Sequence, residues 1–145
     1  LLGKTSSSIR ALNSLFEQKK VGKEYYAVCI GEMKDKGIIS SEIEAKEAQS
    51  EYKVIESIAS KRFGKLNLVK LNPQTGRRHQ LRKHMSSIGN PILGDKEYGI
   101  ERLILNGKGL YLHAYSLRFI HPFTNKEVFI KNELPQRFKK IFSLK

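Results

Sequence analysis

The chain has 145 residues, of which 39% are apolar and 28% charged, so it is long enough to bury one hydrophobic core. Its formal net charge of +13 favours a polyanionic partner such as nucleic acid. No stretch approaches the ~20 apolar residues of a membrane span, and a single cysteine, Cys29, excludes an intramolecular disulfide. We therefore expect an intracellular domain in a reducing compartment, the cytoplasm or an organelle, without membrane association.

Five elements are predicted in the first half of the chain. Hydroxyl residues followed by apolar residues at helical spacing indicate a helix over residues 7–20. An aromatic and β-branched run predicts a strand at 25–31, and a polar turn separates it from a second strand at 38–43. Residues 49–58 and 66–71 have the pattern of a strand pair that is joined by a glycine-containing turn.

The second half is predicted to hold one loop, two helices and two strands. They are a loop at 72–76, a short helix at 77–89, strands at 110–119 and 127–130, and a basic terminal helix at 134–142. Strands joined by short turns, with few helices, indicate an α+β fold on a mixed, mostly antiparallel sheet. Since no linker or repeat interrupts residues 1–145, we expect a single domain.

The segment between Glu56 and Asp95 contains no acidic residue. Its eight cations are Lys61, Arg62, Lys65, Lys70, Arg77, Arg78, Arg82 and Lys83. The last four lie within TGRRHQLRKHM, residues 75–85, where we predict a helix that opens at Thr75 or Gly76. A helix N-terminus with four cations would favour phosphate binding, and a solvated basic helix is the alternative.

Side chains four residues apart share one face of this predicted helix. Arg78 and Arg82 would therefore share one face. Leu81 and Met85 have the same spacing and are predicted to face the core.

The four histidines allow sharper hypotheses. Because five residues separate His79 from His84, their side chains would point roughly 140° apart on a helix, which disfavours a shared metal ion. A nuclease that uses these two histidines with Asp95 stays open, although the GDKEYG context of Asp95 favours a turn-capping carboxylate. His113 and His121 lie at predicted strand ends and are interpreted as structural.

Tyr25 and Tyr26 are neighbours in the first predicted strand, so their side chains should point to opposite faces of the sheet. One could belong to the core and the other to the surface. Alternatively, one of them could form a stacking platform for a nucleobase. The spacing does not decide between these alternatives.

Several motifs together resemble those of one enzyme family, the RluA-type pseudouridine synthases. They are GKEYYAV in the first strand, AQSEYKVIE at 48–56, TGRRHQLRKHM followed by SSIGNPILGDKEYG, and YLHAYSLRFIHP at 111–122. Their order and spacing match the family over nearly the whole chain, and the TGR-x-HQ-[IL]-R block is specific. Asn90 is a small departure, since many members carry His there.

The resemblance implies an α+β fold and an enzyme that isomerises uridine to pseudouridine in structured RNA, either rRNA or tRNA. It implies no cofactor and no metal. Two residues match catalytic residues of the family: Tyr25 matches the tyrosine that stacks on the flipped base and assists proton transfer, and Arg82 matches the arginine that pairs with the catalytic Asp. The other residues expected to contact RNA are Arg77, Arg78, Lys83 and His79.

The family's catalytic Asp lies in a motif that ends T-S-G, just upstream of the segment that LLGKT resembles. The first aspartate of this sequence is Asp35, which lies in a polar turn. We therefore expect residues 1–145 to form the C-terminal part of a catalytic domain whose nucleophile lies upstream of Leu1. A non-catalytic RNA-binding module derived from that fold is the alternative, and a nuclease is the third.

Overall fold

The computed structural model describes residues 22–105, 107–121 and 123–143, and the helix predicted over residues 7–20 lies outside them. Within the described ranges, six strands form one sheet in the order β2-β3-β4-β1-β5-β6. The strands are β1 Gly22–Ile30, β2 Lys36–Ile43, β3 Lys46–Ser60, β4 Gly64–Pro73, β5 Leu112–Ile120 and β6 Glu127–Lys131. The helices are α1 Gln80–Ser87 and α2 Gln136–Phe142, with a 3₁₀ turn at Glu101–Leu103.

Each pair of neighbouring strands in the described sheet is antiparallel. This confirms the predicted α+β class and its mostly antiparallel sheet. β3 begins at Lys46, earlier than predicted, because β2 and β3 are joined by only two residues, Glu44 and Ala45. Both have positive φ angles, 52° and 65°, as a tight two-residue hairpin turn requires.

The hydrophobic core is centred on β1 and β4, the two central strands of the sheet. Four consecutive residues of β1, Ala27–Ile30, are buried, and so are four of β4, Leu66–Val69. Because successive side chains of a strand point to opposite faces, such runs mean that both faces of these strands are covered. Leu81 and Met85 of α1 join this core as predicted, and Phe138 of α2 is completely buried in it.

The prediction that Thr75 or Gly76 opens the first described helix is wrong. α1 begins at Gln80, and the preceding residue, His79, has φ 52° and ψ 29°. This left-handed conformation cannot continue a right-handed helix, so the residues before His79 form a turn. The helix is therefore shorter than the predicted 77–89.

This later start changes the predicted cationic surface. Arg77 and Arg78 precede α1, whereas Arg82 and Lys83 lie within it. The predicted helix N-terminus with four cations is therefore not formed, and Arg78 does not share a helix face with Arg82. The basic residues are distributed over a turn and a short helix instead. No helix in the described ranges has the length and apolar character needed to cross a membrane.

The pairing of β1 with β5 is irregular beside Tyr25. The register shifts between Glu24 and Tyr25, because Glu24 lies opposite Ser116 whereas Tyr25 lies opposite Ala114. Bulges of this kind bend a strand locally and redirect a side chain. Tyr25 therefore lies at a bend of a strand whose next residues are fixed in the core.

Candidate active site

A cavity of about 280 Å³ lies between β1, the loop after β4 and the start of α1. Several of the described side chains that line it are basic, and none of them is acidic. Its walls are formed by Lys23, Tyr25, Pro73, Thr75, Gly76, Arg77, His79, Gln80, Leu81, Arg82 and Leu112. Tyr25 and Arg82, which are far apart in the sequence, therefore line the same cavity.

Gln80 fixes the loop and the helix start to the sheet. Its Oε1 accepts hydrogen bonds from the Thr75 hydroxyl at 2.5 Å and the Arg77 backbone N–H at 3.1 Å. Its Nε2 donates to the Gln49 carbonyl and to the Ser50 hydroxyl oxygen, both at 2.8 Å. Since Gln80 is 4% exposed and all four hydrogen-bonding positions are used, it holds this wall of the cavity in one arrangement.

Arg82 forms a two-point ion pair with Asp95, whose side chain is completely buried. Arg82 Nε donates to Asp95 Oδ2 at 3.1 Å, and Arg82 Nη2 donates to Asp95 Oδ1 at 2.9 Å. The Asp95 bond raises the pKa of Arg82. Burial opposes ionisation of Asp95, but hydrogen bonds from Arg82 and from two backbone amides outweigh it and lower the Asp95 pKa. The pair is therefore ionised at neutral pH.

Asp95 also closes its own turn, as the sequence predicted. Asp95 Oδ1 accepts the backbone N–H groups of Glu97 at 3.1 Å and Tyr98 at 3.0 Å. Gly94, which precedes Asp95, has φ +86°, and a Cβ there would lie 2.0 Å from the Gly109 carbonyl oxygen. This turn can therefore form only where glycine allows the chain to pass closely.

Tyr98 connects the same turn to two residues of the cavity wall. Its hydroxyl lies 2.9 Å from His79 Nδ1, and the Arg82 guanidinium carbon lies 5.0 Å from the centre of its ring. The ring contact is in the range of a cation–π interaction. The side chain of Tyr98 thus contacts both His79 and Arg82, although Tyr98 itself does not line the cavity.

Tyr25 separates this cavity from a second one of about 390 Å³, because it lines both of them. Burial raises the pKa of Tyr25, so its hydroxyl is protonated at neutral pH and can donate a hydrogen bond. Lys23 also lines both cavities, and burial lowers its pKa. Tyr26 is half-buried and contacts the ring of Tyr115 at 4.7 Å between centres.

The four expected RNA contacts have different surroundings. Arg77 and His79 line the cavity, and Arg77 Nε donates to the Glu47 carbonyl at 2.8 Å. Arg78 is exposed and forms no ion pair with any described residue. Lys83 lies on α1 with its ammonium 3.9 Å from a Glu44 carboxylate oxygen, and it does not line the cavity. Their role in RNA binding remains a prediction.

His84 takes no part in the cavity and lies in a buried polar cluster. Its Nε2 lies 2.9 Å from the Ser41 hydroxyl, and its Nδ1 lies 2.8 Å from the Ser50 hydroxyl. Ser50 is also bonded to Gln80, so the cluster connects α1 with β2 and β3. His84 is only 1% exposed, and burial lowers its pKa.

This environment predicts that stability depends on pH below neutrality. Because burial lowers the pKa of His84 in the folded state, its contribution is complete above the unfolded pKa of ~6.5 and is lost as the pH falls from that value through the lower folded pKa. We expect the free energy of unfolding to decrease between pH 6.5 and 5.5 by up to about 1.4 kcal/mol per pH unit from this group. Urea denaturation of wild type and His84→Gln measures the difference. An NMR titration in which the His84 ring protonates at or above pH 6.5 contradicts it.

Two features of the site were not predicted from the sequence. Asp95 was interpreted as a turn cap, with a nuclease carboxylate as the alternative, and its bond with Arg82 was not predicted. Tyr98 was not singled out, although it contacts both His79 and Arg82. A signal was available in the GDKEYG segment, where a carboxylate and a tyrosine three residues apart bracket one turn. The expected pairing of Arg82 with a catalytic Asp upstream of Leu1 stays a prediction.

Comparison with known proteins identifies the family. A family model described as RNA pseudouridylate synthase matches residues 1–87, which include most of the cavity wall. The chain belongs to this family. It is 31% identical to tRNA pseudouridine synthase C of Vibrio parahaemolyticus, over 89% of this chain and 64% of that protein. It is 33% identical to ribosomal large subunit pseudouridine synthase C of Rickettsia bellii, over 97% and 51%.

A solved structure supports the same family assignment. The human RNA pseudouridylate synthase domain containing 1 superposes with a TM-score of 0.76 and 25% sequence identity, covering 91% of this chain and 62% of that one. The resemblance to RluA-type pseudouridine synthases is thus confirmed. The chain spans about half to two thirds of the length of these relatives.

Proposed function

We propose that this protein is an RNA pseudouridine synthase, which isomerises uridine to pseudouridine in structured RNA. The observation that carries the proposal is that Tyr25 and Arg82, the two residues matched to the family's catalytic set, line one cavity. The relatives named above act on tRNA and on ribosomal large-subunit RNA, so we propose one of these as the substrate.

The reaction is an isomerisation and needs no oxidant or reductant. The bond between uracil N1 and ribose C1′ breaks, the base turns, and uracil C5 bonds to C1′. The hydrogen on C5 leaves as a proton, and N1 gains a proton. Because this bond is inaccessible in a stacked base, the uridine must leave its stack, and we propose that it enters the cavity beside Tyr25.

The residues of the cavity suit different parts of this task. Tyr25 supplies a ring on which the base can stack and a protonated hydroxyl. Arg82 supplies directed N–H groups, and Arg77 and His79 supply polar groups for the backbone of the RNA. No described residue of the wall is a carboxylate, and we propose that the catalytic Asp reaches the cavity from upstream of Leu1.

Tritium release from RNA that contains uridine labelled at C5 tests this function. The substrates are unmodified transcripts of tRNA and large-subunit rRNA, tested with the 145-residue chain and with the protein expressed from its complete reading frame. We expect release by the latter and none by the former, because no described residue of the cavity wall supplies a carboxylate. Release by the 145-residue chain would place the carboxylate within it. No release by either protein, with RNA binding retained, would favour the non-catalytic RNA-binding module.

RNA binding is expected to depend steeply on salt. Of the eight cations in the acid-free segment, four pair with described acids, namely Lys65, Lys70, Arg82 and Lys83. If the other four meet phosphates, the slope of log affinity against log salt is about −3, since each contact contributes roughly −0.7 to −0.9. Fluorescence anisotropy with a structured RNA at several salt concentrations measures the slope. A flat response would contradict the proposed role of these charges.

A further inference from the structure

The ion pair of Arg82 with Asp95 leaves one edge of the guanidinium available. A guanidinium has five N–H groups, and the bonds to Asp95 use Nε and Nη2. Nη2 also lies 3.5 Å from a Glu97 carboxylate oxygen. Within the described residues, Nη1 has no hydrogen-bond partner, although Arg82 lines the cavity. One side of the group is thus anchored, and the other side can bind a ligand.

We propose that Asp95 is a positioning residue, which orients Arg82 so that its Nη1 edge acts on the reacting uridine or on the catalytic carboxylate. The inference rests on the proposed function of the same cavity. Asp95 does not line the cavity and is completely buried, so it acts through Arg82 and not on the RNA.

The anchor is rigid for three reasons. Asp95 is fixed by the backbone amides of Glu97 and Tyr98 as well as by Arg82. Its turn is restricted by the close approach of Gly94 to the Gly109 carbonyl. The ring of Tyr98 lies against the guanidinium and leaves Arg82 little freedom to rotate. A flexible arginine with its stem on a short helix would otherwise populate several rotamers.

The pair also changes how Arg82 can act. Asp95 lies 2.9 Å from the guanidinium and carries the opposite charge, so the two together are nearly neutral. Arg82 therefore contributes directed hydrogen bonds at the cavity more than a net positive charge. Long-range attraction of RNA is provided by exposed cations such as Arg78.

The two carboxylate oxygens of Asp95 have different sets of partners. A substitution at Asp95 can therefore keep the turn while it disturbs the contact with Arg82. Oδ1 accepts the two backbone amides and Arg82 Nη2, whereas Oδ2 accepts only Arg82 Nε. In Asp95→Asn the amide oxygen can still accept the backbone groups, but an NH₂ donor replaces Oδ2 and faces another donor. The turn and the bond from Arg82 Nη2 are retained, while the bond from Nε is lost, so the two-point contact that orients Arg82 is broken. Glu101→Gln, at the exposed start of the 3₁₀ turn, is a matched loss of one negative charge.

The experiment measures single-turnover tritium release at saturating RNA, with the protein from its complete reading frame. We expect Asp95→Asn to lower the rate constant about 10- to 100-fold, with RNA affinity unchanged or higher, and Glu101→Gln to stay within twofold of wild type. In an Arg82→Ala background, Asp95→Asn should have little additional effect, because Asp95 acts through Arg82. A rate within twofold of wild type, or an equal loss in both backgrounds, overturns the proposal.

A second readout does not require activity, so it separates this proposal from the proposed function. In ¹⁵N NMR spectra, Arg82 Nε–H should exchange slowly with water in the wild type, because it is bonded to a buried carboxylate. The signal is assigned by its loss in Arg82→Lys, and it should disappear or shift strongly in Asp95→Asn. Failure of tritium release by wild type would refute the function alone. A protected Nε–H in Asp95→Asn would refute the anchor alone.

Discussion

Arg82→Ala, in the protein expressed from its complete reading frame, is expected to lower the single-turnover rate of pseudouridine formation by about 10²- to 10³-fold at saturating RNA. The variant removes an oriented donor from the cavity, and losses of this size are typical when one preorganised donor is deleted. It also leaves the buried Asp95 carboxylate without its cation. Removing one partner of such a buried ion pair can lower the free energy of unfolding by ~3–5 kcal/mol.

Two further variants distinguish the orientation of Arg82 from its charge. Arg82→Lys keeps one positive charge but cannot form the two-point contact with Asp95, so we expect partial recovery of rate and stability. Arg78→Ala removes an exposed cation and should weaken RNA binding while leaving the rate at saturation within about twofold of wild type. If Arg78→Ala abolishes the chemistry while Arg82→Ala is near wild type, the roles of the two arginines have been exchanged.

Tyr25→Phe and Tyr25→Ala are expected to separate stacking from proton transfer. Phenylalanine keeps the ring, so RNA affinity should stay within about twofold, but the rate should fall by roughly 10²-fold if the hydroxyl serves as a general acid or base. Alanine removes the platform as well, and loss of a stacked base costs ~1–3 kcal/mol of binding free energy. The hydroxyl is protonated at neutral pH, and burial raises its pKa further, which suits a hydrogen-bond donor.

The control for these variants is Tyr26→Phe. Tyr26 is the next residue of β1 and is also half-buried, but its ring packs against Tyr115 and does not line the cavity. Both affinity and single-turnover rate should therefore stay near wild type. Equal effects of Tyr25→Phe and Tyr26→Phe would contradict the assignment of Tyr25 to the cavity.

The central strands could be predicted from the sequence because their signal is local. Ala27–Ile30 and Leu66–Val69 are dense in residues that fill a core, and glycine or polar turns bound them. The positions of Leu81 and Met85 on one helix face followed from their spacing for the same reason. The pairing order of the strands, in contrast, depends on contacts between distant segments.

The start of α1 could not be predicted from local pattern. TGRRHQ reads as the beginning of a helix, but Gln80 bonds to Thr75 and to β3, and His79 adopts a left-handed conformation. The start of α1 is decided instead by tertiary hydrogen bonds. The buried Gln80 side-chain amide donates to the Gln49 carbonyl and to the Ser50 hydroxyl oxygen. Tertiary hydrogen bonds of this kind override weak helix propensities.

The ion pair of Arg82 with Asp95 could not be predicted from the sequence for a related reason. Asp95 lies in a separate loop, and only the folded chain brings its carboxylate to within 2.9 Å of the guanidinium. Family resemblance drew attention to Arg82 and Tyr25, which line the cavity. Its GDKEYG segment includes Asp95 and Tyr98 but gave them no role, because these residues have their effect through other side chains.

Photo-crosslinking tests most directly whether the cavity beside Tyr25 and Arg82 receives the uridine. Transcripts of tRNA and large-subunit rRNA that contain 4-thiouridine are irradiated with the protein from its complete reading frame, and the crosslinked peptides are mapped by mass spectrometry. We expect the principal adducts on the peptide containing Tyr25 and on the segment at 75–82, and we expect the former to be lost in Tyr25→Ala. Adducts confined to the β3–β4 turn or to the β5–β6 hairpin, with none at the cavity, would contradict this placement of the active site.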